Sequence, residues 1–95
     1  MLYAVYNETS SFWEYLFEPY DIQDKVISFL FLFREESRMH VHVMSPNGEA
    51  KFWLEPELAL AQTSGFSAPE INELQKILEE HRDELATQWH RHFGS

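Results

Sequence analysis

The run Met39-His40-Val41-His42-Val43-Met44, followed through Pro46-Asn47-Gly48 by Glu49-Ala50-Lys51-Phe52-Trp53-Leu54-Glu55-Pro56, constrains the fold more than any other part of the chain. Two short alternating stretches joined by turn residues are the pattern of a β-hairpin, because successive strand side chains point to opposite faces. At that period His40 and His42 share one face, and Met39, Val41 and Val43 share the other. The turn suits two registers. Asn47-Gly48 as a two-residue loop sets Val43 opposite Phe52, Val41 opposite Leu54 and His42 opposite Trp53. A type I turn over Pro46-Asn47-Gly48 with a glycine bulge sets Val43 against Lys51 instead. The first register is preferred, because a one-residue slip carries a whole apolar set to the wrong face. Val41, Val43, Ala50, Phe52 and Leu54 are therefore expected to face the main core, and His40, His42, Lys51 and Trp53 the opposite side.

Val26 to Phe33 is apolar at successive positions, as in a strand covered on both faces, and Arg34 to Arg38 reads as a polar connection to the histidine strand. Pro56 to Gln62 reads as a short helix ended by Ser64-Gly65. Ser67-Ala68-Pro69-Glu70 is a capping box with proline in the first turn, and it opens a long helix. Ile71, Leu74, Leu78, His81, Leu85 and Trp89 recur at three and four residues as one apolar stripe, and Gly94 follows Phe93 as a stop. At the other end, Leu2 to Tyr6 alternates, Ser11 and Glu14 have capping-box spacing for a short helix, and Pro19 ends it. Phe12, Trp13, Leu16 and Phe17 form an apolar cluster that must dock. The long helix can cover only one side of the Val26 to Phe33 strand, so this cluster is expected over the histidine face.

These elements make an α+β fold: a small antiparallel sheet of about three strands, or four, packed against a long C-terminal helix, with a short N-terminal helix. Residues 1–95 read as a single domain, with 1–20 an aromatic extension and 26–93 the core. Coverage within one chain is the preferred reading and implies a monomer; coverage by a neighbouring chain would make a homodimer.

At 44 % hydrophobic and 16 % aromatic residues, the 95-residue chain is too apolar for disorder even at a net charge of -9. It has no cysteine, which excludes disulfides, thiol nucleophiles and cysteine metal sites and fits a reducing cytoplasm. No basic n-region precedes an apolar stretch, and the Val26 to Phe33 run is far below the roughly 20 residues of a membrane helix, so a cytoplasmic chain without a membrane partner is expected. The surplus of 16 acidic over 7 basic residues repels phosphate backbones, so nucleic acid is not an expected partner.

The histidines have the two-residue spacing of some zinc sites, but a site needs a third ligand. His81 lies on the helix stripe assigned to the other side of the sheet, and His90 and His92 diverge by roughly 200° on a helix. No metal and no cofactor are expected. Lys51 and Trp53 beside His40 and His42 offer charge and a ring to an anionic or planar ligand. Trp53 suits equally well a contact with Phe12, Trp13 and Phe17. Glu79, Glu80, Asp83 and Glu84, interspersed with Lys76 and Arg82, read as a solvated helix face.

The segments His40-Val41-His42-Val43, Glu49 to Pro56, Gly65-Phe66-Ser67 and Glu80-His81-Arg82-Asp83-Glu84-Leu85, with Trp89-His90, resemble a family of small bacterial proteins, the domain-of-unknown-function family four-one-six-zero, from about Val26 to Phe93. The resemblance implies a compact α+β domain with no assigned activity, often paired in genomes with a second small domain in operons of the toxin-antitoxin kind. The family positions present are His40, His42, His81, Arg82 and Trp89. The aromatic N-terminal segment departs from the family pattern, as does Ser37-Arg38-Met39 in place of a proline pair. The candidate binding residues are accordingly His40, His42, Lys51, Trp53, His81 and Arg82, with no catalytic role assigned. Two functions follow from different classes. One is a protein-interaction member of a two-gene toxin-antitoxin-like module, with a small protein as partner. The alternative is a small histidine-dependent hydrolase or RNase-like toxin with His40 or His42 as general acid or base. No basic stripe is visible, which favours the first.

Overall fold

The computed structural model describes the backbone of residues 3–6, 12–15, 20–22, 25–32 and 37–93, and the side chains of 20–22, 25–31 and 37–91. The chain runs β1 (Tyr3–Tyr6), β2 (Phe12–Tyr15), β3 (Tyr20–Ile22), β4 (Lys25–Leu32), β5 (His40–Ser45), β6 (Gly48–Trp53), β7 (Ala59–Ser64), α1 (Ala68–Glu80) and α2 (Arg82–Phe93). The strands pair antiparallel in the order β1-β2-β4-β5-β6-β7, with β3 also on β4. β4 is long because it serves three neighbours. Its first three residues, Lys25 to Ile27, pair with β3, Leu30 to Leu32 pair with β2, and Ser28 to Leu30 pair with β5.

One face of this sheet is the core. Ile27, Phe29 and Phe31 of β4 join Val41 and Val43 of β5 and Ala50 and Phe52 of β6, and Leu74, Ile77, Leu78, Leu85 and Trp89 of the helices pack on them. Phe29, Phe31, Val41, Val43, Phe52, Leu74, Leu78 and Leu85 have no measurable exposure. Burying each is worth about 1.5 to 3 kcal/mol, and this layer carries the fold. His42 and Lys51 are directly paired and lie on the opposite face, as periodicity requires.

The face assignment holds, but the register differs from the expected one by two residues. The loop is Pro46-Asn47, with Ser45 opposite Gly48, Val43 opposite Ala50, Val41 opposite Phe52 and His40 opposite Trp53. A shift of two leaves every side chain on its own face, so the apolar pattern cannot detect it. Gly48 decides the register by close approach. A Cβ there would lie 3.0 Å from the carbonyl oxygen of Ser64, and one on Gly65, where φ is +85°, would lie 2.0 Å from that of Asn47. Glycine at 48 thus opens β6 against the end of β7 instead of filling the turn.

Three helix expectations are corrected. The Ser11–Glu14 segment does not begin a helix: Phe12–Tyr15 is β2, paired with β1 and β4. Its backbone joins the sheet as a strand beside β4. A helix stopped by Pro19 would have been too short to hold itself, whereas aromatic residues suit a strand. The side chains of Phe12 and Trp13, and Leu16, Phe17, Pro19, Phe33, residues 34–36 and Gly94, lie outside the described residues.

The helix expected over Pro56 to Gln62 is instead the bend at 55–57 followed by β7. Ala59-Leu60-Ala61 has helical propensity, but one short turn gains less than a ladder that satisfies the backbone of β6. The sheet therefore has seven strands among the described residues, more than the expected three or four.

The C-terminal helix begins as expected, with the Glu70 N–H donating to Ser67 Oγ at 3.3 Å and the Ser67 N–H donating to Glu70 Oε1 at 2.7 Å. It is broken once, at His81, which has φ -105° and ψ 12°. Helical bonding resumes with the Leu85 N–H donating to the His81 carbonyl at 2.8 Å.

Candidate functional site

The open end of the β5-β6 hairpin gathers most of the candidate residues. His40 begins β5 opposite Trp53 at the end of β6, and Lys51 lies opposite His42. His40 has no exposure. Its Nδ1 lies 2.6 Å from the Arg38 carbonyl oxygen, which can only accept, so Nδ1 carries the hydrogen and donates it. Its ring meets those of His42, Trp53 and Trp89 edge-on at centroid distances of 5.3, 5.9 and 5.2 Å.

Trp89 is a difference from the sequence reading. Its place on the helix stripe put it on the core side only, yet its indole meets Phe31 at 5.3 Å and also His40. A large ring on α2 reaches around the end of the hairpin and bridges the two faces.

Two cations lie over Trp53: the Arg38 guanidinium carbon at 4.1 Å from a ring centroid and Lys51 Nζ at 4.7 Å. Each such contact is worth about 0.5 to 2 kcal/mol, and together they engage the surface that a planar ligand would stack on. Arg38 was missed as a site residue because it was read as part of the connection. The signal was present: Arg38, His40 and His42 alternate at period two and so share a face. Arg38 Nε also donates to the Glu55 carbonyl at 3.0 Å, while Glu55 Oε2 accepts from the Met39 N–H at 3.3 Å and the Leu54 N–H donates to the Met39 carbonyl at 2.9 Å.

Arg82 belongs to the same end in a different role. Its Nη2 donates to the carbonyls of Leu54 at 3.3 Å and Pro56 at 2.9 Å, holding the segment after β6 to the start of α2.

His81 does not join these residues. Its Nε2 lies 2.8 Å from the Tyr20 hydroxyl and its Nδ1 lies 3.1 Å from Glu84 Oε1. A carboxylate can only accept, so in the neutral ring Nδ1 donates to Glu84 and Nε2 accepts from Tyr20. Burial raises the Tyr20 hydroxyl above its ordinary pKa, and Glu80 and Glu84 add to the rise. Glu84 was legible three residues after His81 on a helix. Tyr20 carried no sequence signal, because its contact is non-local.

The six candidates thus fall into a hairpin-end group of His40, His42, Lys51 and Trp53, a tether at Arg82, and a separate cluster at His81. Among the described residues, no three His, Cys, Asp or Glu side chains are grouped to hold a metal ion, and no helix is long and apolar enough to cross a membrane. No curated protein and no solved structure matches the chain. A family model described as domain of unknown function (DUF4160) matches residues 26–90, from β4 into α2, and the chain belongs to that family.

Proposed function

We propose that the protein works in the cytoplasm by binding a small partner protein, as the interaction member of a two-gene module of the toxin-antitoxin kind. The observation that supports this reading is the confinement of His40. A general base must come within about 2.6 to 3.2 Å of the proton it takes. His40 has no exposure, its Nδ1 donates to a main-chain carbonyl, and three aromatic rings surround it. The Tyr20–His81–Glu84 chain has the order of a nucleophilic relay, but a phenol whose pKa is raised keeps its proton and is a poor nucleophile. Both arrangements tie the fold together.

The test is co-expression of the full chain with the small protein encoded beside it, followed by purification through a tag on one of them. A stoichiometric complex is expected. A chain that purifies alone and cleaves RNA, with the activity abolished in His42→Ala, would replace this reading with the hydrolase one.

A further inference from the structure

β7 lies at one end of the strand order and pairs with β6. Its residues, Ala59-Leu60-Ala61-Gln62-Thr63-Ser64, include no charge and no proline, and Leu60 to Ser64 are exposed, Leu60 at 39 %. An edge strand presents a row of outward N–H and C=O groups, which proteins usually guard with lysine, proline, inward-pointing charge or a bulge. β7 has no charge and no proline. It has one irregularity: Lys51 pairs with Gln62 and Phe52 with Leu60, so Ala61 is the extra residue of a bulge. The bulge bends the strand and adds neither charge nor proline.

The cations nearest this edge are already engaged, Lys51 and Arg38 over the Trp53 ring and Arg82 on the Leu54 and Pro56 carbonyls, and exposed carboxylates flank it. From Phe52 to Gln75 there is no Lys, Arg or His, while Glu55 and Glu57 fall within that span before β7. Glu55 and Glu57 are exposed just before β7, and exposed Glu49 on β6 pairs with Ser64. A second copy of the chain would bring these carboxylates against their own kind, whereas a basic strand would complement them.

We infer that the β7 edge is a strand-addition site for an extended, basic segment of a partner protein, a proposal that rests on the interaction reading above and specifies its surface. Main-chain hydrogen bonds supply the contact and lysine or arginine side chains along the added strand meet Glu49, Glu55 and Glu57.

The test uses amide chemical-shift mapping on the full chain with two blocked octapeptides as probes, one alternating Lys with Val and one alternating Glu with Val. The Lys peptide is expected to shift the amides of Ala59 to Gly65 and to bind at least about tenfold more tightly than the Glu peptide. Neighbouring strand N–H groups point in opposite directions, so of Gln62→Pro and Thr63→Pro one removes an outward donor and spares the ladder to β6. The variant that keeps the native spectrum is expected to lose the Lys peptide. Ala61→Lys, at an exposed position, supplies the missing guard and is expected to weaken it by about tenfold. Shifts confined to α1 and α2, equal binding of the two peptides, or unchanged binding in these variants would overturn the proposal, as would a homodimer that dissociates in them. A complex with the small partner that leaves the β7 amides unshifted would overturn the edge site alone and leave the interaction reading standing.

Discussion

Tyr20 and His81, 61 positions apart, share a 2.8 Å hydrogen bond that ties β3 to the break between α1 and α2. Their rings also meet edge-on at 6.3 Å, and Tyr20 stands edge-on to buried Phe29 at 5.6 Å. Tyr20→Phe keeps the ring and removes the hydroxyl, so it is expected to cost about 0.5 to 1.5 kcal/mol in urea unfolding. In a double-mutant cycle with His81→Ala most of that cost should disappear, because the partner is already gone.

The same hydroxyl sets an alkaline limit. Burial, then Glu80 and Glu84, raise its pKa above 10.0 in the folded state. A raised pKa means the folded form holds its proton longer than the unfolded chain, so the contribution is complete below pH 10 and is lost as pH rises through the folded value. Ultraviolet titration of the wild type against Tyr20→Phe should show a late-titrating phenol, with the difference in stability shrinking above pH 10.

The hairpin register makes a separate prediction. Backbone cross-strand nuclear Overhauser contacts should pair Val43 with Ala50 and Val41 with Phe52, and not Val43 with Phe52. Phe52 has no exposure, so Phe52→Ala is expected to cost about 3 to 5 kcal/mol. A cost below about 0.5 kcal/mol would place Phe52 on the surface and contradict the assigned face.

Glu70 joins the capping box to the start of β4, accepting from the Ser67 N–H at 2.7 Å and from Lys25 Nζ at 2.9 Å. The Ser67 backbone hydrogen bond, then Lys25, hold its carboxyl below the ordinary value of 4.5. A depressed pKa contributes stability above the unfolded value and loses it as pH falls through the folded one. Glu70→Gln should therefore destabilise the protein at pH 7, and its deficit relative to wild type should narrow below pH 4.5, read from paired denaturation curves.

How much was legible in the sequence depends on the range of the contact that decides each feature. Period two put Val41, Val43 and Phe52 on one face and His40, His42, Lys51 and Trp53 on the other, because that pattern is local. The register was not legible, since a shift of two preserves the faces and the choice rests on Gly48 meeting Ser64 and Gly65, which are distant in sequence. β7 was misread because Ala59-Leu60-Ala61 favours helix locally, while the ladder on β6 is non-local. The apolar stripe passes through the break at His81 without marking it, because the histidine's partner Tyr20 lies on β3. Within the candidate site, Arg38 followed from the same alternation as the histidines. Contact of Trp89 with His40 did not, because it depends on where α2 crosses the end of the hairpin.

The interaction reading is tested most directly by calorimetric titration of the full chain with the small protein that the proposed two-gene module would supply as its partner, at low and at moderate salt. Saturable binding near one to one is expected, with a Kd below about 1 µM. The affinity should fall as salt rises, because a chain of net charge -9 would meet the basic segment inferred for its partner. Two folded proteins that give no binding heat at either salt and stay separate on sizing would contradict it.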